Sequence, residues 1–233
     1  MIGLPGDLAA AEAAESPVAS ELLSSRALCR PQDDQLRALA EMIRRAEKIM
    51  IYCGIGARDA HDEVVALSEL LKAPVAYSFK AKMDVQYDNP CEIGMTGLLG
   101  LPSAYISMHE SDLLLLLGTD FPYESFMPEE CRIAQIDIRP ERIGRRARVE
   151  LGLAGDVKDA LQALIPLLEE RRERAFLDRQ LKIYRELCDK MQRTAEKHDL
   201  ARDAPPLCKP GNGLIDNCLI DACRDIRLGS ALV

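Results

Sequence analysis

Two stretches of this chain hold residues whose types and spacing could do chemistry. One is Gly94-Met95-Thr96-Gly97-Leu98-Leu99-Gly100. The other is Gly118-Thr119-Asp120-Phe121-Pro122-Tyr123, which follows the apolar run Leu113–Leu117. Each combines glycine, a hydroxyl and apolar side chains. Glycine lets the backbone approach closely and offers its N–H, threonine supplies a hydroxyl, and apolar groups cover a flat ring. That set suits a phosphate or a flat cofactor. From pattern alone, two ordinary strand-to-loop turns explain the same residues, and that plainer reading is favoured.

Other candidates are thinner. Gly54-Ile55-Gly56 has the start of a dinucleotide fingerprint, but Asp59 stands where a third glycine belongs, so a tight turn makes equal sense. The three histidines, His61, His109 and His198, read as helix residues, and no Ser/His/Asp or Cys/His set assembles. The eight cysteines are scattered without a Cys-x-x-Cys pair, which argues against zinc and for reduced thiols.

The elements that must position these residues alternate. Pro31-Gln32-Asp33-Asp34 opens a helix with Leu36, Leu39, Ala40, Ile43 and Ala46 on one face, acids at its start and Arg44, Arg45 and Lys48 near its end. Lys48–Cys53 predicts a buried strand, Ala60–Leu71 a second amphipathic helix and Pro74–Tyr77 another strand. Residues 78–100 read mostly as loop. Pro102–Glu110 reads as a short helix and Leu113–Leu117, apolar without alternation, as a strand buried on both faces. Arg132–Ile138 and Val149–Leu153 complete the strands and Val157–Leu168 the domain. This order predicts an α/β fold, a Rossmann-like parallel sheet flanked by helices. The carboxyl edge of such a sheet is where ligands bind. Glu169–His198 reads as a polar helix whose stripe Leu177, Leu181, Tyr184 and Leu187 wants a partner surface.

The expected domains are 1–31, the end of a preceding domain plus linker; 32–170, the central domain; 171–202, a polar helix linker; and 203–233, a truncated or divergent tail with a weak helix around Leu219–Ile226. With 233 residues, 48% of them hydrophobic, a sizeable core is available. A net charge of −8 and 4% aromatic residues argue against nucleic acid. Without a basic n-region or an apolar run near the roughly 20 residues a membrane helix needs, the expectation is a cytoplasmic protein with no membrane span.

Several motifs occur in a telling order: Cys53-Gly54-x-Gly56, Ala60-His61, Lys72-Ala73-Pro74, Tyr87-Asp88-Asn89-Pro90, Gly94-Met95-Thr96-Gly97-Leu98, Leu117-Gly118-Thr119-x-Phe121-Pro122-Tyr123, Gln135-Ile136-Asp137-Ile138 and Gly155-Asp156. Together they resemble the central domain of thiamine-diphosphate-dependent enzymes, with the pyruvate oxidase or pyruvate:quinone dehydrogenase branch the most similar. The resemblance implies a three-domain enzyme whose middle domain binds FAD in the oxidase branch. The first domain carries a catalytic glutamate, and the third binds thiamine diphosphate through Mg²⁺ with a Gly-Asp-Gly motif. Leu4-Pro5-Gly6-Asp7 looks like the last strand of the first domain, so that glutamate would lie upstream of Met1. Gly211-Asn212-Gly213 has an amide in place of the motif's carboxylate and reads as a turn.

By this resemblance Thr96, Gly97, Leu98, Leu99, Thr119, Asp120, Phe121, Pro122 and Tyr123 would line the FAD. Asp137 would accept bonds from ribose hydroxyls or an adenine amine, or would serve as a turn carboxylate. Asp156 has the same two readings, with the helix cap favoured. Two positions depart from the branch: Lys80 stands where Arg is usual and Ala81 where Gly is usual. Lysine is a point charge without Arg's bidentate fork, and alanine hinders close approach. The expectation is an FAD-type central domain, a fragment without catalysis of its own. Its partners would be missing thiamine-binding domains or further copies of itself. The alternative is a structural domain with an empty cradle that oligomerises through the 177–187 stripe. A free-standing NAD-binding protein is the weaker third.

Overall fold

A computed structural model describes residues 28–197. The expected strand and tail at Met1–Asp7 and 203–233 lie outside the described residues. In chain order the elements are α1 (Asp33–Arg45), β1 (Ile49–Cys53), α2 (His61–Leu71), β2 (Val75–Tyr77), α3 (Lys82–Val85), β3 (Glu92–Met95), α4 (Pro102–Glu110), β4 (Leu113–Leu117), β5 (Arg132–Asp137), β6 (Leu151–Ala154), α5 (Val157–Leu164) and α6 (Ala175–Lys197).

The strands form one parallel sheet in the order β3-β2-β1-β4-β5-β6. The unbroken apolar run of β4 is buried throughout because it lies between β1 and β5, with Ile51 opposite Leu115 and Leu115 opposite Ala134. A strand covered on both faces has no solvent side to make polar. The chain leaves β3 on one side of β1 and re-enters at β4 on the other. Connections therefore diverge at the β1/β4 boundary and leave a crevice at the carboxyl ends of those strands.

The helices follow their sequence signals. Helix α1 has Asp33 and Asp34 in its first turn and Arg44 and Arg45 in its last, and buries Leu36, Leu39, Ala40, Met42 and Ile43. Asp156 caps α5, its carboxylate accepting the Asp159 N–H at 3.2 Å, as expected of a cap.

Two expectations need correction and a third is refined. Residues 78–100 are mostly loop, as expected, yet they also hold the edge strand β3 and the short helix α3. Glu92 and Gly94 interrupt any apolar run there, and the strand exists because β2 pairs with it. The final helix starts at Ala175 rather than Glu169, since the chain before it is tied to neighbouring helices instead, the Arg171 N–H donating to the Leu70 carbonyl at 2.9 Å. There the Arg171 guanidinium donates to the Ile43 and Ala46 carbonyls at 2.6 Å, closing the C-terminus of α1. The stripe on α6 is also not an open oligomerisation face. Leu177 and Leu181 are buried in this chain's own core, Tyr184 packs against it, and Met191 joins Leu101.

Candidate functional site

At the crevice the floor is main chain against main chain. A Cβ on Gly54 would lie 2.4 Å from the Gly118 carbonyl oxygen, and one on Gly56 would lie 2.7 Å from the Gly118 Cα. Gly118 itself has φ +58°, and its own Cβ would meet the Gly56 Cα at 2.5 Å. Only residues without a side chain let the β1 and β4 exits touch this closely. Two hydrogen bonds join them, Gly54 N–H to the Leu117 carbonyl at 2.8 Å and Gly56 N–H to the Gly118 carbonyl at 2.9 Å.

Beside this contact lies a cavity of about 590 Å³. It falls within the size range of ligand pockets, roughly 300–1,000 Å³. Nine of the ten residues singled out from the sequence line it: Thr96, Gly97, Leu98 and Leu99 from the loop after β3, and Thr119, Asp120, Phe121, Pro122 and Tyr123 from the loop after β4. The threonine hydroxyls have no partner among the described residues, although both residues are nearly buried. Leu98 and Leu99 stay exposed, as does Phe79, which also lines the cavity. Phe121 is buried and stands edge-on to both Tyr52 and Tyr123, with ring centroids 5.2 Å apart in each case, which stiffens this wall.

Asp137 is the tenth, and the structure does not bring it to the cavity. It ends β5, is 2% exposed, and accepts the Arg139 N–H on Oδ1 at 2.9 Å. That is a turn carboxylate, the second of its two readings. Burial raises its pKa, against the pull of the Arg139 N–H and of the Arg142 and Arg139 charges. Ala81 is fully buried away from the cavity, so its methyl group does not obstruct the approach feared from the sequence, whereas Lys80 lines the cavity.

The sequence reading missed Ile55, Ser78, Arg142 and Arg146, all of which line the cavity. Arg146 donates to Asp120 at 3.0 Å and reaches Glu124 at 3.5 Å, while Arg145 reaches Asp120 at 3.2 Å. Lys80 and Arg142 form no ion pair among the described residues, so the cavity carries unneutralised positive charge. One signal was available. Five arginines, Arg139, Arg142, Arg145, Arg146 and Arg148, crowd the segment between β5 and β6 of an acidic protein.

The remaining reactive side chains have structural roles. His61 stacks on Tyr87 with centroids 3.8 Å apart and bonds the Asp84 carbonyl at 3.1 Å. His109 Nε2 meets the Phe126 carbonyl at 3.2 Å. The described cysteines are free thiols. Burial alone pushes Cys53 far up, so it is no nucleophile despite its place beside Gly54. Among the described residues there is no group of three or more metal-ligating side chains and no helix long and apolar enough to cross a membrane.

A second polar cluster sits at the sheet's edge. The Glu92 carboxylate on β3 accepts the Tyr77 hydroxyl at 2.5 Å and the Tyr184 hydroxyl of α6 at 2.8 Å. Burial raises Glu92, while the tyrosine donors, the Lys82 charge and the Gly94 N–H pull it down by less. Tyr184 also leans on the backbone at Gly94, where an added Cβ would come within 3.0 Å of its ring.

Comparison with known proteins agrees with this architecture. The model of the thiamine pyrophosphate enzyme central domain matches residues 36–164. An uncharacterised 42.6 kDa protein of Pseudomonas amyloderamosa is 43% identical over 87% of this chain and 51% of its own length. The thiamine pyrophosphate-containing protein YdaP of Bacillus subtilis, so named putatively, is 32% identical over 76% of this chain and 31% of its own. Pyruvate oxidase of Lactiplantibacillus plantarum is 28% identical over 60% of this chain and 24% of its own. Among solved structures, a thiamin diphosphate-dependent enzyme (putative) of Mycobacterium smegmatis superposes with TM-score 0.55 at 25% identity, covering 65% of this chain and 31% of that one. The chain thus spans about half the length of the first of these relatives and about a third or less of the others.

Proposed function

The chain belongs to the thiamine pyrophosphate enzyme central-domain family, and from that premise we propose that it is the FAD-type dinucleotide-binding module of a pyruvate oxidase-like enzyme. The observation that carries the reading is the cavity at the β1/β4 crevice, where nine residues expected from the sequence converge on a glycine floor.

The residues present fit such a group. Lys80 and Arg142 would attract its diphosphate, the free Thr96 and Thr119 hydroxyls would bond its oxygens, and Leu98, Leu99 and Phe79 would cover its ring. FAD, when bound, supplies an electron acceptor. This chain's own residues bind it, orient it and keep water from its ring. In this reading thiamine diphosphate and Mg²⁺ are held by further domains, supplied by the rest of a longer polypeptide or by an assembly with other copies, in the cytoplasm. The purified chain then turns over no pyruvate by itself.

The test is a titration of FAD fluorescence together with thermal melting of the full chain. Saturable quenching and a raised melting temperature are expected. Neither change at any FAD concentration would remove the flavin reading and leave a domain of structural function.

A further inference from the structure

The side chain of Gln135 has no place in the reading so far, and its position is unusual. It projects from the middle of β5, 3% exposed, and every one of its hydrogen bonds goes to the backbone of a cavity loop. Its Nε2 donates to the Thr119 carbonyl at 3.2 Å and to the Arg142 carbonyl at 3.3 Å. Its Oε1 accepts the Gly144 N–H at 2.9 Å. Thr119 begins the loop after β4 that ends at Tyr123. Arg142 and Gly144 belong to the loop after β5, and Arg142 and Arg146 of that segment line the cavity.

We propose that Gln135 is a positioning residue for ligand binding: one buried amide fixes the Thr119 loop and the Arg142–Gly144 loop relative to each other, so that hydroxyl and guanidinium meet the same anionic dinucleotide. The proposal rests on the dinucleotide reading above. The chemistry is specific to an amide, which alone offers two N–H donors and an acceptor on one planar group. The outer ties between these segments, Arg145 and Arg146 to Asp120, are part-exposed ion pairs that salt screens. The Gln135 bond to Thr119 is buried, those to Arg142 and Gly144 are part-buried, and all three are bonds of a neutral amide, so they persist at salt that weakens the ion pairs.

The substitution Gln135→Glu keeps the shape but turns a donor into an acceptor facing two carbonyl oxygens. Protonation of the new carboxyl restores one donor, and its burial favours the protonated form. Gln135→Leu removes all three bonds: the Thr119 carbonyl and the Gly144 N–H lose their side-chain partner, while the Arg142 carbonyl keeps the Arg145 N–H at 3.2 Å.

FAD and ADP are titrated into the full-length wild type and both variants at about pH 8 and about pH 5.5, with amide hydrogen exchange followed in the ligand-free proteins. The expected result is binding roughly 10- to 100-fold weaker in Gln135→Leu. Gln135→Glu should be similarly weak at the higher pH and recover at the lower when compared with the wild type at the same pH, which removes the ligand's own phosphate titration from the comparison. Exchange should rise in residues 119–123 and 142–146 while the strands stay protected. Affinity within about 2-fold of wild type in both variants would overturn the proposal, even if exchange rises, since Gln135 would then be structural only. If the wild type binds neither ligand, the dinucleotide reading fails by itself. The loop-fixing role is then decided by exchange, and unchanged protection in 119–123 and 142–146 overturns it.

Discussion

The crevice between β1 and β4 and the Glu92 cluster at the β3 edge are both polar regions inside a mostly apolar body, yet they are built in opposite ways. At the edge, polar side chains satisfy one another: two tyrosine hydroxyls converge on one carboxylate oxygen and fasten α6 to the sheet. At the crevice, the backbone does the building, and the Thr96 and Thr119 hydroxyls and the Lys80 and Arg142 cationic heads line the cavity with no side-chain hydrogen bond or salt bridge among the described residues. These groups border an open cavity rather than lying sealed in the core, so they stay able to bond a ligand. Here internal satisfaction marks a fastening, and unused bonding capacity at a cavity wall marks the candidate site.

That contrast can be broken at several points. The largest effect is expected for Gly118→Ala, which forces a side chain into a left-handed backbone and into the Gly56 Cα. We expect a loss of about 3–5 kcal/mol in denaturant unfolding, together with the loss of FAD binding. Wild-type stability in that variant would show that the β1 and β4 exits part without cost.

Tyr184→Phe keeps the ring over Gly94 but removes one donor from Glu92. A stability loss of about 1–3 kcal/mol with FAD affinity within about 2-fold of wild type is expected. An affinity change beyond about 5-fold would mean that fastening and site are one network.

The Glu92 carboxyl also sets a pH dependence. Burial raises it above its ordinary value of 4.5, so the folded chain keeps this proton to higher pH than the unfolded chain does. The contribution is complete below the unfolded value and is lost as pH rises through the raised folded value. Asp137, raised by burial from 3.8, acts in the same direction. Glu92→Gln should therefore flatten the decline of stability with rising pH, read as denaturant midpoints across that window. An unaltered slope would assign the decline to Asp137.

Arg142→Gln is expected to change stability least, by less than about 0.5 kcal/mol, since this half-buried guanidinium forms no salt bridge within 4 Å among the described residues and its pull on the Asp137 carboxyl is one of several. ADP affinity should fall roughly 3- to 10-fold, with a shallower salt dependence. Unchanged ADP binding would remove Arg142 from the ligand's contacts.

The same contrast explains what could be read from the residues. The Leu113–Leu117 strand and the Thr96 and Thr119 loops were legible because each announces itself locally, by an apolar run or by glycine beside a hydroxyl. The strand Glu92–Met95 was not, because its only signal is a pairing partner fifteen or more residues away and its glutamate looks like a loop residue until two tyrosines reach it. The stripe on α6 was read as apolar, but its cover, α4 and β3, is set by tertiary packing. Arg142 and Arg146 reach the cavity only because β5 lies next to β4, which no local pattern states. Asp137 was legible as a strand end with two possible roles, and the choice between them is made by the turn after β5, whose Arg139 N–H takes its carboxylate.

The glycine floor has a consequence for how such a domain diversifies. Where main chain rests on main chain, there is no side chain for substitution to vary, so selection acting on the floor can only keep it or lose it. Novelty must enter through the surrounding loops, at Lys80, Leu98 and Arg142, whose side chains line the same hollow. The geometry thereby divides the labour: the floor sets the socket's shape, and a change of ligand preference has to come from the rim.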